Sequence, residues 1–263
     1  MSSSNPPPNA NAPEGPDSPE PRLVSDRDEL FRDSSWPLPF EFNDEVAGVF
    51  DDMVSRSVPL YRDVVDTTAQ WAVRYYRPDT HLYDVGCSTG TQLDLIGRIS
   101  PLPMRLVGID GSRSMLDRAN EKLEELGERH EVQLVHEDAV GAEFRNGSVA
   151  ILNYTLQFIP VAQRPLLLRK IADGLEPGGV LILSEKMRSP DPLFEETRTR
   201  IYESFKERNG YTRTEIARKK AALENVLVSL TLDEQLDMLR DAGFQHAEPV
   251  VSWHAFTTIV ARR

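Results

Sequence analysis

The chain has 263 residues, of which 40% are hydrophobic, and this length provides for one sizeable core. Its net charge of −12 argues against a broad phosphate-binding surface, so we expect no direct binding of nucleic acid. No apolar run is long enough to span a membrane, no secretory signal pattern begins the sequence, and a single cysteine, Cys87, excludes an internal disulfide, so a cytoplasmic protein is expected.

The first part of the chain divides into a polar tail and a helical segment. Residues 1–21 are mainly Pro, Ser, Asn and acids, which bury too little apolar surface to fold, so we predict a disordered tail before a single domain of residues 22–263. A first helix is predicted after a cap at Asn43 or Asp44, and Pro59 is expected in the first turn of a second helix. The apolar face of the first helix comprises Val46, Val49, Phe50 and Met53.

From residue 80 onward, strand-like and helix-like segments alternate. The predicted strands are THLYDVG, MRLVGID, VQLVHED, VAILNYT and GVLILSEK, and Pro177-Gly178-Gly179 is expected to end the helix before the fifth. This alternation predicts an α/β fold with a mostly parallel sheet and helices on both faces. Residues 188–229 interrupt the pattern with two helices split at Asn209-Gly210, a helical insertion after the fifth strand. One more helix and two strand-like runs follow.

A glycine turn, GCSTG at residues 86–90, follows the first strand, where ligands bind in open parallel sheets. Glycine lets the backbone approach a ligand, and the next helix adds amide donors. The dinucleotide fingerprint is absent because Ser88 stands in place of its second glycine, and no phosphate-loop G-K-[ST] follows. The second strand ends at Asp110-Gly111, where an acid can accept hydrogen bonds from both hydroxyls of a ribose.

Over about residues 79–186 the sequence resembles the S-adenosylmethionine site of Rossmann-like methyltransferases, in the residues Asp84, Gly86, Gly90 and Asp110. In that pattern the third strand ends in an acid near the adenine, here Asp138, which Ala139 follows. The fourth strand ends beside the methionine part, here Asn153. The alternative for Asp110 and Asp138 is that they only cap helices.

The sequence lacks the residues that several kinds of methyltransferase use. The sequence after Asn153 has no pair of prolines, which amino-group methyltransferases of nucleic acids and proteins often carry. Pyrimidine carbon methylation needs a cysteine nucleophile, but Cys87 lies in the glycine turn, where a small packing residue is the more typical role. No metal is expected, because ligand spacing is lacking among His81, His130, His136, His246 and His254.

Four longer motifs are similar to the carboxy-S-adenosyl-L-methionine synthase family: FNDEVAGVFDDMVSRSVPLY, NYTLQFI, LSEKM and FKERNGYTRTEIARKKAALENVL. The similarity runs from about residue 28 to near the C-terminus. It implies that prephenate loses carbon dioxide and hydroxide to become phenylpyruvate, while the methyl carbon of S-adenosylmethionine loses a proton and captures the carbon dioxide. The product, carboxy-S-adenosyl-L-methionine, serves the modification of the wobble uridine of transfer RNA. The resemblance also implies a homodimer, with the insertion helices near a partner's active site.

Such a reaction requires a site that excludes water, holds both reactants in contact and supplies positive charge where a carboxylate forms. The family's arginine for the new carboxylate corresponds to Lys220, which keeps the charge but loses the planar fork. Arg56 in the RSVP motif is a second catalytic candidate for an anion. The resemblance assigns cofactor binding to Tyr61, Gly86, Cys87, Ser88, Asp110, Gly111, Asp138, Ala139, Asn153 and Lys220.

Alternatives remain open for both cations and for the function. Lys220 also suits a solvated basic face, and Arg56 a surface ion pair with Asp51 or Asp52. An ordinary small-molecule methyltransferase would use the same nucleotide site, and a non-catalytic module would only store or deliver a sulfonium nucleotide. Product mass distinguishes the synthase from the methyltransferase, and turnover with prephenate distinguishes it from the binding module.

Overall fold

A computed structural model of the chain describes residues 19–32 and 40–263. Most of the predicted disordered tail, residues 1–18, lies outside this part, so the tail stays a prediction. Its last residues lie against the domain: the Glu20 carboxylate accepts a hydrogen bond from Arg62 at 3.0 Å, and the Glu20 carbonyl accepts one from Arg98 at 2.7 Å. Contacts between the N-terminal segment and the domain therefore begin before residue 22.

Seven strands form one sheet within the described residues, in the order β3-β2-β1-β4-β5-β7-β6. The first five are parallel and β7 is antiparallel to both of its neighbours, as expected for an α/β sheet with two closing strands. The strand order changes direction between β1 and β4, which opens a crevice at their carboxyl ends. The strands are β1 (His81–Val85), β2 (Arg105–Asp110), β3 (Glu131–His136), β4 (Gly147–Asn153), β5 (Leu175–Lys186), β6 (His246–Trp253) and β7 (Phe256–Arg262).

Helices cover both faces of this sheet, as the alternating pattern predicts. The α-helices are α1 (Asp44–Ser57), α2 (Tyr61–Tyr75), α3 (Thr91–Ile99), α4 (Arg113–Leu123), α5 (Arg164–Gly174), α6 (Pro192–Arg208), α7 (Arg213–Ala222) and α8 (Leu232–Ala242). Leu181 and Leu183 pack with α5 and α8 on one face, whereas Val180 and Ile182 pack with α2, α3 and α4 on the other. Successive strand side chains point to opposite faces, so a strand covered on both sides must be apolar throughout.

Three local predictions can be compared with the helix and strand ends. Asn43 caps α1, because its side chain accepts a hydrogen bond from the amide of Val46. The prediction for Pro59 was wrong: α2 begins at Tyr61 after a left-handed Leu60, so the proline precedes the cap. Pro177-Gly178-Gly179 does not end α5 but lies inside β5, where the register with β4 shifts, and proline is tolerated at such irregularities.

The insertion after β5 consists of α6 and α7. Lys206 is the only buried residue among the 17 of α6, and its large apolar side chains that remain exposed are Leu193, Phe194 and Ile201. Ala222 of α7 joins a small cluster with Phe31 and with the apolar face of α1, so the N-terminal segment links the insertion to the domain. Within the described ranges no helix is long and apolar enough to cross a membrane.

Candidate active site

A cavity of about 500 Å³ lies at the carboxyl ends of the central strands. Its walls come from the loops after β1, β2, β3, β4 and β5, from α1 and α2, and from the insertion. Nine of the ten residues predicted to bind the cofactor line this cavity: Tyr61, Gly86, Cys87, Ser88, Asp110, Gly111, Asp138, Ala139 and Asn153. The parallel sheet brings them together because it places the ends of its strands at one edge.

The glycine turn is bound to the end of β2 by backbone contacts. The Gly86 amide donates to the Ile109 carbonyl at 2.7 Å, and the Ser88 amide donates to Asp110 Oδ2 at 2.8 Å. Gly86 has a φ of +77°, and a Cβ at this position would lie 2.4 Å from Thr155 Oγ1. Only glycine therefore combines this conformation with the little space left beside Thr155.

The carboxylate of Asp110 is held in a fixed orientation by two amides. Besides Ser88, the Ser112 amide donates to it at 2.8 Å, through Oδ1. Burial raises the pKa of Asp110, and the two amide hydrogen bonds oppose that rise. Both oxygens retain lone pairs, so the carboxylate can accept hydrogen bonds from a pair of vicinal hydroxyls.

Asp84 and Asn153 face the cavity from β1 and β4. Asp84 is 2% exposed, its Oδ2 atom has no hydrogen-bond partner among the described residues, and burial raises its pKa to about 7. A buried, unpartnered carboxylate suits a cationic group of a ligand, such as an α-ammonium. The Asn153 side chain is already oriented, since it donates to Gln92 Oε1 at 2.8 Å and accepts from Ser184 Oγ at 2.7 Å.

Asp138 and Ala139 follow β3. Asp138 Oδ1 accepts a hydrogen bond from the amide of Val140 at 2.8 Å, which is a local turn contact and not the start of a helix. Ala139 is 9% exposed and packs in the core beneath the cavity. Their position at the far end of the strand order suits recognition of the base of a nucleotide.

Cys87 is a packing residue in this structure. Its side chain is buried, and a Cβ on Gly108 would lie 2.9 Å from Cys87 Sγ. Burial raises the pKa of the thiol well above its usual value, so the thiolate needed for nucleophilic attack is disfavoured. Over the described residues, no three or more His, Cys, Asp or Glu side chains lie together as metal ligands.

Aromatic side chains provide an apolar wall. The ring centroids of Phe42 and Phe158 lie 5.2 Å apart, and those of Tyr61 and Tyr154 lie 6.5 Å apart. Burial raises the pKa of both tyrosines, which therefore stay neutral at physiological pH. Phe40 and Phe50 add to the same lining. Such a wall excludes water from the reacting groups.

Three lysines on the other side of the cavity were not among the predicted site residues: Lys186, Lys206 and Lys219. A usable signal existed for Lys186, since it ends β5 at the ligand-binding edge of the sheet. Lys206 and Lys219 belong to insertion helices, and their sequence does not indicate which face of those helices contacts the domain.

Lys220, predicted to bind the new carboxylate, is not part of the cavity wall in this chain. Its side chain is 64% exposed, and its Nζ atom donates to Glu203 Oε1 at 3.1 Å. Lys219 enters the cavity wall instead: it is 6% exposed and donates to Ser57 Oγ at 3.0 Å. The reason is helical geometry, because consecutive residues point about 100° apart around the axis.

Arg56 also lies outside the cavity wall. It forms an ion pair with Asp52 at 3.0 Å, and its Nε atom donates to the Asn209 carbonyl at 2.8 Å. Its guanidinium carbon lies 4.0 Å from the ring centroid of Tyr211. The expected contact with an anion is therefore replaced by the ion pair and by contacts that attach the insertion to α1.

Comparisons with known proteins agree with this arrangement. A family model described as a methyltransferase domain matches residues 82–179. Among solved structures, an O-methyltransferase family protein from Burkholderia thailandensis has a TM-score of 0.57 at 16% identity, covering 86% of this chain and 64% of that one. Magnesium protoporphyrin IX methyltransferase from Synechocystis has a TM-score of 0.52 at 16% identity, covering 76% and 78%. These likenesses establish the Rossmann-like fold.

Curated relatives match far more closely. Carboxy-S-adenosyl-L-methionine synthase of Trichodesmium erythraeum is 52% identical over 91% of this chain and 94% of its own length. The protein of the same name from Methylococcus capsulatus is 43% identical over 89% of this chain and 98% of its own length. The identity extends through the N-terminal helices and the insertion, well beyond the methyltransferase domain. The chain therefore belongs to the carboxy-S-adenosyl-L-methionine synthase family.

Proposed function

We propose that this protein converts S-adenosyl-L-methionine and prephenate to carboxy-S-adenosyl-L-methionine and phenylpyruvate. The observation that carries the proposal is a cavity in which the residues of a sulfonium-nucleotide site face three lysines. A sulfonium is itself positive, so methyl transfer to a neutral acceptor gains nothing from added cations beside it. A substrate with two carboxylates, and a product with a new one, does gain from them.

The reaction balances without a covalent protein nucleophile or a redox partner. Prephenate releases carbon dioxide and hydroxide as its ring becomes aromatic. The methyl carbon of S-adenosylmethionine gives up a proton and forms a bond to the carbon dioxide, and the proton and the hydroxide form water. The protein's task is to hold both reactants together and to exclude bulk water. The protonated Cys87 thiol and the aromatic wall suit that task.

The residues of the cavity suit S-adenosylmethionine part by part. Asp110 is oriented to accept hydrogen bonds from the ribose hydroxyls, and Asp138 with Ala139 lies where the adenine is expected. The unpartnered Asp84 oxygen suits the α-ammonium. The glycine turn, with Gly86 packed against Thr155, completes this part of the cavity wall.

We further propose a homodimer in which Lys220 of one chain serves the cavity of the other. Lys220 is exposed and is not among the residues that line its own cavity, which leaves it accessible to a second chain. The exposed Leu193, Phe194 and Ile201 on α6 provide apolar surface for that contact. A cytoplasmic location and the absence of direct nucleic-acid binding are also proposed, on the single buried cysteine and the net charge of −12.

We propose that the carboxylated sulfonium is the product and that it serves transfer-RNA modification. The proposal is tested by measuring the mass of the product. The purified chain is incubated with S-adenosylmethionine carrying a trideuterated methyl group, with and without prephenate, and the small molecules are analysed by mass spectrometry after denaturation. Only with prephenate do we expect carboxy-S-adenosyl-L-methionine. Its former methyl carbon should carry the new carboxyl group in place of one deuterium and retain the other two. Demethylated cofactor alone would identify a methyltransferase, and unchanged cofactor a binding module.

A further inference from the structure

Two lysines flank the ring of Tyr202 inside the cavity. The Nζ atom of Lys206 lies 4.3 Å from the ring centroid, and that of Lys186 lies 5.0 Å from it. The ring itself is held in place, since the Tyr202 hydroxyl donates to the Ser57 carbonyl at 2.9 Å. Two ammonium groups therefore line one wall, supported by an aromatic surface.

Neither ammonium group has an anionic partner in the part of the chain that the structure describes. Among the described residues no carboxylate lies within 4.0 Å of Lys186 Nζ or Lys206 Nζ, and no protein acceptor receives a hydrogen bond from either. Lys206 is nevertheless only 7% exposed. Lys219 differs, because its Nζ atom lies 3.5 Å from the buried Asp28 carboxylate. A buried, unpaired cation is costly, so an anionic ligand at this wall would offset that cost.

The wall lies beyond the nucleotide along the sheet. Proceeding through the strand order, Asp138 follows β3, Asp110 ends β2, the glycine turn follows β1 and Asn153 ends β4. Lys186 ends β5, the next strand. It lies two residues after Ser184, which pairs with Asn153 of β4. Neighbouring strands lie about 4.8 Å apart, so β5 lies about 10 Å from β1. The lysines thus lie past the methionine end of the nucleotide, where the second reactant must enter.

We propose that Lys186 and Lys206 bind the carboxylate of the 2-oxo acid side chain of the second substrate, the carboxylate that remains in the product. This inference rests on the proposed function, which gives the second substrate two carboxylates. One of them loses its charge as carbon dioxide leaves, and an ammonium group holding it would stabilise the ground state more than the transition state. The other carboxylate stays charged throughout, so binding it holds the substrate without raising the barrier to the reaction.

Phenylpyruvate isolates this contact, because it retains only the 2-oxo acid carboxylate. Its binding is measured by calorimetry on protein saturated with S-adenosylmethionine, for wild type, K186M, K206M and K206R. The matched control is R208M, which removes an exposed cation on α6 outside the cavity wall. Circular dichroism verifies the fold of each variant, and K186M tests the same wall if K206M does not fold.

We expect phenylpyruvate to bind K186M and K206M about tenfold or more weakly than wild type, as for loss of a charged hydrogen bond. K206R and R208M should stay within about threefold of wild type, and the affinity for S-adenosylmethionine should change by less than about threefold in every variant. Unchanged phenylpyruvate binding in both methionine variants would overturn the inference. A parallel loss of S-adenosylmethionine affinity would also overturn it, since the lysines would then hold the methionine carboxylate. Failure of the proposed function would appear separately, as a wild type that forms no carboxylated product.

Discussion

Lys219 and Lys220 are adjacent in α7, yet their ammonium groups lie in different environments. Lys219 Nζ lies 3.0 Å from Ser57 Oγ and 3.5 Å from Asp28 Oδ2, whereas Lys220 Nζ lies 3.1 Å from Glu203 Oε1 at the surface. One side chain is 8% exposed and the other 64%. The same residue type therefore has two roles one position apart, and substitution can distinguish them.

Lys219→Met should destabilise the protein. It removes the cation beside Asp28, whose carboxylate is 1% exposed and also accepts a hydrogen bond from Tyr211. Breaking a buried pair from one side typically costs roughly 3–5 kcal/mol, because the remaining charge is left without a partner. Urea unfolding followed by circular dichroism measures this, and the double variant D28N/K219M should recover part of the loss. A K219M protein as stable as wild type would contradict the described pair.

Lys220→Met should leave the free energy of unfolding within about 1 kcal/mol of wild type, since exposed ion pairs contribute little. If Lys220 serves a partner's cavity, product formation should fall about tenfold or more, as for loss of a charged hydrogen bond, and K220R should restore it. Mixing K220M with D110N chains should then return part of the activity through mixed dimers. Full activity of K220M would exclude a role for Lys220 in the reaction and leave only its surface ion pair.

Gly86→Ala should weaken nucleotide binding and stability together. The new Cβ would lie 2.4 Å from Thr155 Oγ1 at a φ of +77°, which costs roughly 1–3 kcal/mol in strain and displacement. Gly48→Ala is the matched control, because a Cβ there meets nothing within 4 Å and α1 gains helix propensity. Thermal melts with and without S-adenosylmethionine measure both effects. A G86A protein that binds the nucleotide like wild type would exclude close approach at this turn.

Asp84→Asn should separate binding from stability. Burial raises the pKa of Asp84 from 3.8 to about 7, so the folded state binds more protons than the unfolded state between these values. The free protein therefore loses stability as the pH rises through that range, and D84N should reduce this loss. At the same time D84N should bind S-adenosylmethionine about tenfold more weakly, because the α-ammonium loses its carboxylate. Unchanged affinity would remove Asp84 from the binding site.

Phenylpyruvate binding should weaken as the pH rises. Burial, followed by the neighbouring Lys219 and Lys186, lowers the pKa of Lys206 to about 7, so Lys206 is charged below that value and neutral above it. Glu203 opposes this shift and Lys220 adds to it. Calorimetry of the S-adenosylmethionine complex from about pH 6 to about pH 8.5 should show the affinity falling through neutrality, with a flatter profile in K206M. Equal profiles would contradict a role for Lys206.

Much of the fold and of the nucleotide site could be predicted because its signals are local. The apolar strands, the helices between them and the cap at Asn43 follow from periodicity and turn chemistry within a few residues. The resemblance to methyltransferases predicted Asp110, Asp138 and Asn153 as site residues, and they meet because parallel strands place their carboxyl ends at one edge. Pro59 was placed wrongly because the helix starts two positions later, at Tyr61, after a left-handed Leu60 that the local pattern does not indicate.

The sequence by itself determined the sheet, the glycine turn and the acids that follow each strand. Only the tertiary structure decided which cations enter the cavity: Lys186, Lys206 and Lys219 do, whereas Arg56 and Lys220 do not. The physical reason is that the phase of an insertion helix is set by what it packs against, here Asp28 and Ser57, which contact Lys219 of α7 and Tyr202 of α6. A rotation of about 100° exchanges neighbouring side chains between cavity and solvent, and no local pattern records that angle.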